Sequence, residues 1–190
     1  MKLTEFSERL SDSLASELSY DEEKKEIMAY GLETVVLAVI GIAAVLIMGL
    51  LFKAFLPTLV AIVFGGSLRK VSGGAHLNTP VKCIALGAVV YSLLGVAAKE
   101  LIKYDLYNIY VLFLGLGISL VVIILLAPVD SEAKPIHSLS FRRKLKAASI
   151  AFIGIGFAVL LFSHNPLVNT SAVLGIFYQS MTLLPVFNKN

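Results

Sequence analysis

From Arg69 to Cys83 the chain reads Arg-Lys-Val-Ser-Gly-Gly-Ala-His-Leu-Asn-Thr-Pro-Val-Lys-Cys, so its only cysteine follows His76 by seven residues. A thiol with an imidazole in reach is a nucleophile with its general base, the pairing that covalent acyl transfer needs. Thr79 is a good helix N-cap and Pro80 suits the first helical position, which places Cys83 in the first turn of the apolar helix that follows. Free N–H groups and the positive end of the helix dipole favour a thiolate there, and Arg69, Lys70 and Lys82 add positive charge. Gly73 and Gly74 let the backbone turn sharply, or approach a substrate closely, just before His76. The ordinary alternative is that a lone cysteine beside an apolar run is a small core residue and a loop histidine is merely solvated. Residue types alone leave both readings open.

A third group is needed to orient the imidazole. Glu33, at the start of the first apolar run, and Gln179, within the last, are the candidates at membrane depth, with Glu33 preferred. Gln179 serves equally as an interhelical hydrogen bond, and Ser67, Ser72 and Asn78 can also fill the place. His137 and His164 read as surface loop residues. The three histidines lie far apart with no cysteine cluster, so no metal and no cofactor is expected.

These residues must be held by membrane helices. At 190 residues the chain is 57% hydrophobic and 15% charged, with a mean hydropathy of +0.86, too apolar for a soluble domain of this size. The fold expected is all-α and polytopic, with about six membrane helices from apolar windows near 34–52, 55–68, 84–98, 107–127, 147–162 and 167–184. The second, third and fifth windows are short of a full span, and the second, with Pro57 near its start, is the candidate to dip in without crossing. Residues 1–32 form a separate amphipathic segment, cytoplasmic or interfacial, from Leu3, Phe6, Leu10, Leu14 and Leu18 at helical spacing. Residues 33–190 form the membrane domain. Ser19 to Glu22 reads as a capping box, and the polar start gives no signal peptide.

With six crossings, every basic residue except Lys53, Lys99 and Lys103 falls on one side, which the positive-inside rule makes cytoplasmic. Both termini and the Arg69–Cys83 loop lie there, and the thiol stays in a reducing compartment. Arg142, Arg143, Lys144 and Lys146 read first as a topology signal and second as a surface for an acidic peptide tail.

Arg69, Gly73-Gly74, His76 and Cys83 match the pattern Arg-x(4)-Gly-x-His-x(6)-Cys, and on these residues the sequence resembles the AgrB family of membrane cysteine endopeptidases. Ala127 to Asp130 with Lys134-Pro-Ile136 is similar to that family's second polar loop, and Gln179 with Thr182-Leu-Leu-Pro185 to its C-terminal segment. The resemblance implies a bacterial cell-membrane enzyme of quorum sensing. It implies that Cys83 and His76 cleave an AgrD-like precursor peptide through a thioester acyl-enzyme, which closes to a thiolactone or lactone. Arg69 and the N–H groups near Cys83 would then hold the oxyanion or substrate carboxylates, and Lys134 would contact substrate. A homodimer in the lipid bilayer, with no nucleic-acid partner, completes the expectation. The competing readings are a small membrane transporter, suggested by short segments with Pro57 and Gly65-Gly66, and a non-catalytic scaffold or receptor.

Overall fold

The computed structural model describes residues 22–75, 79–129 and 138–188, and the amphipathic segment expected before Glu22 lies outside them. Among the described residues there are six helices and no strand: α1 Glu22–Leu51, α2 Phe55–Ser72, α3 Pro80–Lys103, α4 Ile109–Leu126, α5 Leu139–Phe162 and α6 Pro166–Met181. The chain divides into two compact units at Ala43/Ala44. The described part of the first is the stretch of α1 from Glu22 to Ala43; the second holds the end of α1 and the other five helices.

Among the described residues five helices are long and apolar enough to cross a membrane: Ile27–Leu51 within α1, and all of α2, α3, α4 and α5. The protein is an all-helical, polytopic membrane protein. The short third and fifth windows are completed to 24 residues each because polar turns extend the helices at their ends. The second window is a continuous 18-residue helix. Pro57 does not disturb it: Ala54 is the N-cap, so Pro57 falls in the first turn, where a backbone N–H has no intrahelical partner anyway. The last helix is the short one, at 16 residues, or about 24 Å against a hydrocarbon core of about 30 Å.

That short helix is the centre of the second unit. α6 packs on α2, α3, α4 and α5, and its residues from Asn169 to Val173 are buried in succession. Its closest approach is to α2, where Gly175 lies against the Ala61 backbone and Gly65 against the Gly175 carbonyl. Small residues are the means by which helices in lipid bring their backbones together. Around this contact Leu68, Leu116, Ile123, Ile153, Val173, Ile176 and Leu183 form the main core. Outward surfaces remain apolar, as with Leu125 at 72% and Phe162 at 80% exposure, the pattern of a protein solvated by lipid.

Local chemistry explains the turns. Lys53 and Asp105 have φ of 54° and 55°, each ending a helix in the left-handed conformation, with Ala54 N–H donating to Gly49 O and Leu106 N–H to Leu101 O. Asn108, Ser138 and Asn165 cap α4, α5 and α6 through their side-chain oxygens. The Lys99 ammonium donates to the Lys53 carbonyl at 3.0 Å, which brings two of the three exceptional basic residues to one end of the bundle.

Candidate active site

The start of α3 is built as its sequence dictates. Thr79, with φ −137° and ψ 140°, caps the helix, and its Oγ1 accepts from Lys82 N–H at 3.4 Å. Pro80 opens the helix and Cys83 N–H donates to Thr79 O at 3.2 Å, so Cys83 sits in the first turn. The turn is less open to an anion than its position implies. Pro80 has no N–H, those of Lys82 and Cys83 are engaged with Thr79, and Val81 supplies the remaining donor.

Arg69 comes from the last turn of α2 and meets Cys83 across the gap. Its Nη2 lies 4.0 Å from Cys83 Sγ and also donates to the Ala75 carbonyl. One guanidinium thereby ties the loop after α2 to the sulfur at the start of α3. Cys83 is partly exposed. Cys83, Gly87 and Tyr91 share one face of α3, and the space over Gly87 is open.

The loop between the two helices is held from two sides. Gly73 has φ 71° and Gly74 φ 134°, conformations that favour glycine. A side chain at Gly73 would collide with the Val129 carbonyl, and one at Gly74 would stand 2.7 Å from Thr182 Oγ1 and 3.0 Å from Gln179 Nε2. Gln179, fully buried at the end of α6, donates from Nε2 to Gly73 O at 2.8 Å and to Ser72 Oγ at 3.4 Å. Ala75 N–H donates to Thr182 O at 3.2 Å and Val129 N–H to Ser72 O at 3.0 Å. The end of α6 and the segment after α4 therefore fix the backbone that carries Arg69 toward Cys83. Gln179 Oε1 is buried with no protein partner among the described residues.

Of the residues singled out in the sequence, Cys83, Arg69, Gly73, Gly74 and Gln179 come together here, and Ser72 joins them. His76, Asn78, His137 and Lys134 lie outside the described residues. Glu33 belongs to the first unit, where its side chain is partly exposed. Ser67 is partly exposed on α2, and His164 is exposed just before α6, at the opposite end of that helix from Gln179. Val129 and Thr182 were not singled out as individual site residues. Both nevertheless fall in the two segments whose resemblance pointed here, 127–130 and 182–185. No cluster of His, Cys, Asp or Glu able to hold a metal occurs among the described residues.

Fold and site together define a polytopic helical membrane protein with a cysteine and an arginine paired at one end of its bundle. The family model for accessory gene regulator B matches residues 7–183. An AgrB-like protein of Clostridium perfringens strain SM101 is 30% identical over 96% of this chain and 91% of its own. Accessory gene regulator protein B of Staphylococcus intermedius is 31% identical over 74% of this chain and 72% of its own. No solved structure matches. The chain belongs to the accessory gene regulator B family, and membership supports a role in accessory gene regulator quorum-sensing processing.

Proposed function

We propose that the protein is a membrane cysteine endopeptidase that cuts a small autoinducing-peptide precursor and promotes its cyclisation. The observation that carries this is the approach of the Arg69 guanidinium to Cys83 Sγ, 4.0 Å apart, in a loop held by Gln179. In this mechanism His76 takes the proton of Cys83 and the sulfur attacks the carbonyl carbon of one internal peptide bond. The oxygen becomes negative as the S–C bond forms, and Arg69, with the Val81 N–H, is assigned to stabilise it. Collapse breaks the C–N bond, and the amine of the C-terminal fragment leaves with the proton from His76. A thioester on Cys83 remains. A cysteine or serine within the precursor then attacks that thioester, closes the ring and returns the proton to the Cys83 sulfur.

Gly73 and Gly74 shape the loop before His76, and in this reading Gln179, whose Oε1 is buried beside the glycine pair, orients the imidazole. Glu33 is the alternative. Lys134 contacts the precursor's C-terminal part, the active site and both termini face the cytoplasm, and two copies associate in the cell membrane. The test is cleavage of an AgrD-like precursor in liposomes. Wild-type protein releases the C-terminal fragment, whereas Cys83→Ala releases none; continued cleavage by that variant overturns the reading.

A further inference from the structure

A second site lies around the end of α4, at the same end of the bundle as Cys83. A cavity of about 310 Å³ is walled by Leu125, Leu126, Ala127 and Pro128 on one side and by Leu139, Arg142, Arg143 and Lys146 on the other. The α5 residues are spaced i, i+3, i+4 and i+7, so they form a single stripe along the helix and present one apolar and three cationic side chains. Arg142 Nη2 also donates to Pro128 O at 3.4 Å, joining the two walls. Next to this cluster Leu125 and Leu139 are 72% and 77% exposed. Of the two, Leu125 lies on the membrane side of the end of α4, and apolar surface there beside the α5 cations has the chemistry of a phospholipid with an anionic headgroup.

We propose that this cavity binds one anionic phospholipid, its phosphate among Arg142, Arg143 and Lys146 and its acyl chains along Leu125 and Val121 of α4. A lipid is favoured over an acidic peptide because the exposed Leu125, with Val121 one turn below it on α4, continues the site toward the hydrocarbon, where a charged peptide has no reason to lie. The site is separate from the Cys83 chemistry and does not depend on it.

The test is native mass spectrometry of the full chain in detergent, titrated with phosphatidylglycerol or phosphatidylcholine. One phosphatidylglycerol should be retained in preference to phosphatidylcholine. Arg143→Gln/Lys146→Gln should weaken it about twenty-five-fold, each cation at an anionic surface contributing about a factor of five. Arg143→Lys/Lys146→Arg, which keeps both charges, should stay close to wild type. Lys144→Gln removes a charge from the same helix but off the stripe, and should change little. Circular dichroism of each variant keeps loss of binding distinct from loss of fold. Equal retention of the two lipids overturns the proposal. So does a Lys144→Gln loss as large as that of Lys146→Gln, which would mean diffuse surface charge. A glutamate-rich peptide that binds wild type and displaces the lipid through the same stripe overturns it in favour of a peptide site.

Discussion

The side-chain Nε2 of Gln179 donates to the Gly73 carbonyl across 2.8 Å, linking residues 106 positions apart in sequence. This bond fixes the peptide that leaves α2 just before the cleft, so position 179 controls loop geometry without touching the sulfur. Gln179→Glu replaces the donor with a carboxylate whose oxygens face a carbonyl oxygen. Losing a buried hydrogen bond costs about 1–3 kcal/mol, and precursor cleavage should slow by about tenfold or more, with a lower thermal midpoint in detergent. A wild-type single-turnover rate would show that the bond does not position the site.

Gly73 and Gly154 should respond oppositely to alanine. At Gly73 the backbone is in a glycine-favoured region and a Cβ would run into the Val129 carbonyl, so Gly73→Ala should destabilise by about 1–3 kcal/mol and impair cleavage. Gly154 lies within α5 with nothing near its Cβ position, and Gly154→Ala should gain up to about 1 kcal/mol of helix propensity at unchanged rate. Thermal unfolding and cleavage assays on both variants check the pair.

Arg69→Lys should be more harmful than Lys70→Arg. Arg69 engages the Ala75 carbonyl and Cys83 Sγ from one planar group, which a lysine ammonium on a flexible stem cannot reproduce, whereas Lys70 is exposed. A lost charged hydrogen bond of about 1.5–3 kcal/mol corresponds to about tenfold to a hundredfold in rate. Single-turnover rates at saturating precursor measure it, and a wild-type rate for Arg69→Lys would confine the residue to topology.

Much of this site was legible because it is local. Thr79-Pro80 sets the helix start that places Cys83, and Arg69 and the glycine pair stand within the same short stretch. Gln179 was legible as a polar residue in an apolar run and as part of the family-like C-terminal segment, but its partner was not, because the Gly73 carbonyl is distant in sequence and backbone groups carry no sequence signature. Val129 against Gly73 was hidden for the same reason. Helix count and order followed from hydropathy, but lengths did not: the polar turns of Leu139–Lys146 belong to α5, and hydropathy windows omit them. The central place of α6 depends on close packing at Gly175 and Gly65, which hydropathy does not register.

Charge distribution makes an independent claim about orientation. Ser140 and His164 are both exposed, before and after the apolar body of α5. In a Cys83→Ala background, Ser140→Cys should react with an impermeant thiol reagent only from the cytoplasmic side and His164→Cys only from outside. Reaction of both from one side would contradict the crossing of α5.

The most direct measurement is the mass of the protein after incubation in lipid with a precursor whose ring-closing cysteine or serine is replaced by alanine. Without an internal nucleophile the thioester should accumulate, adding the mass of the N-terminal precursor fragment to a peptide containing Cys83, and hydroxylamine should release it. Release of the C-terminal fragment with no adduct on Cys83 under rapid acid quench, or an adduct that persists in Cys83→Ala, would contradict nucleophilic catalysis by this cysteine.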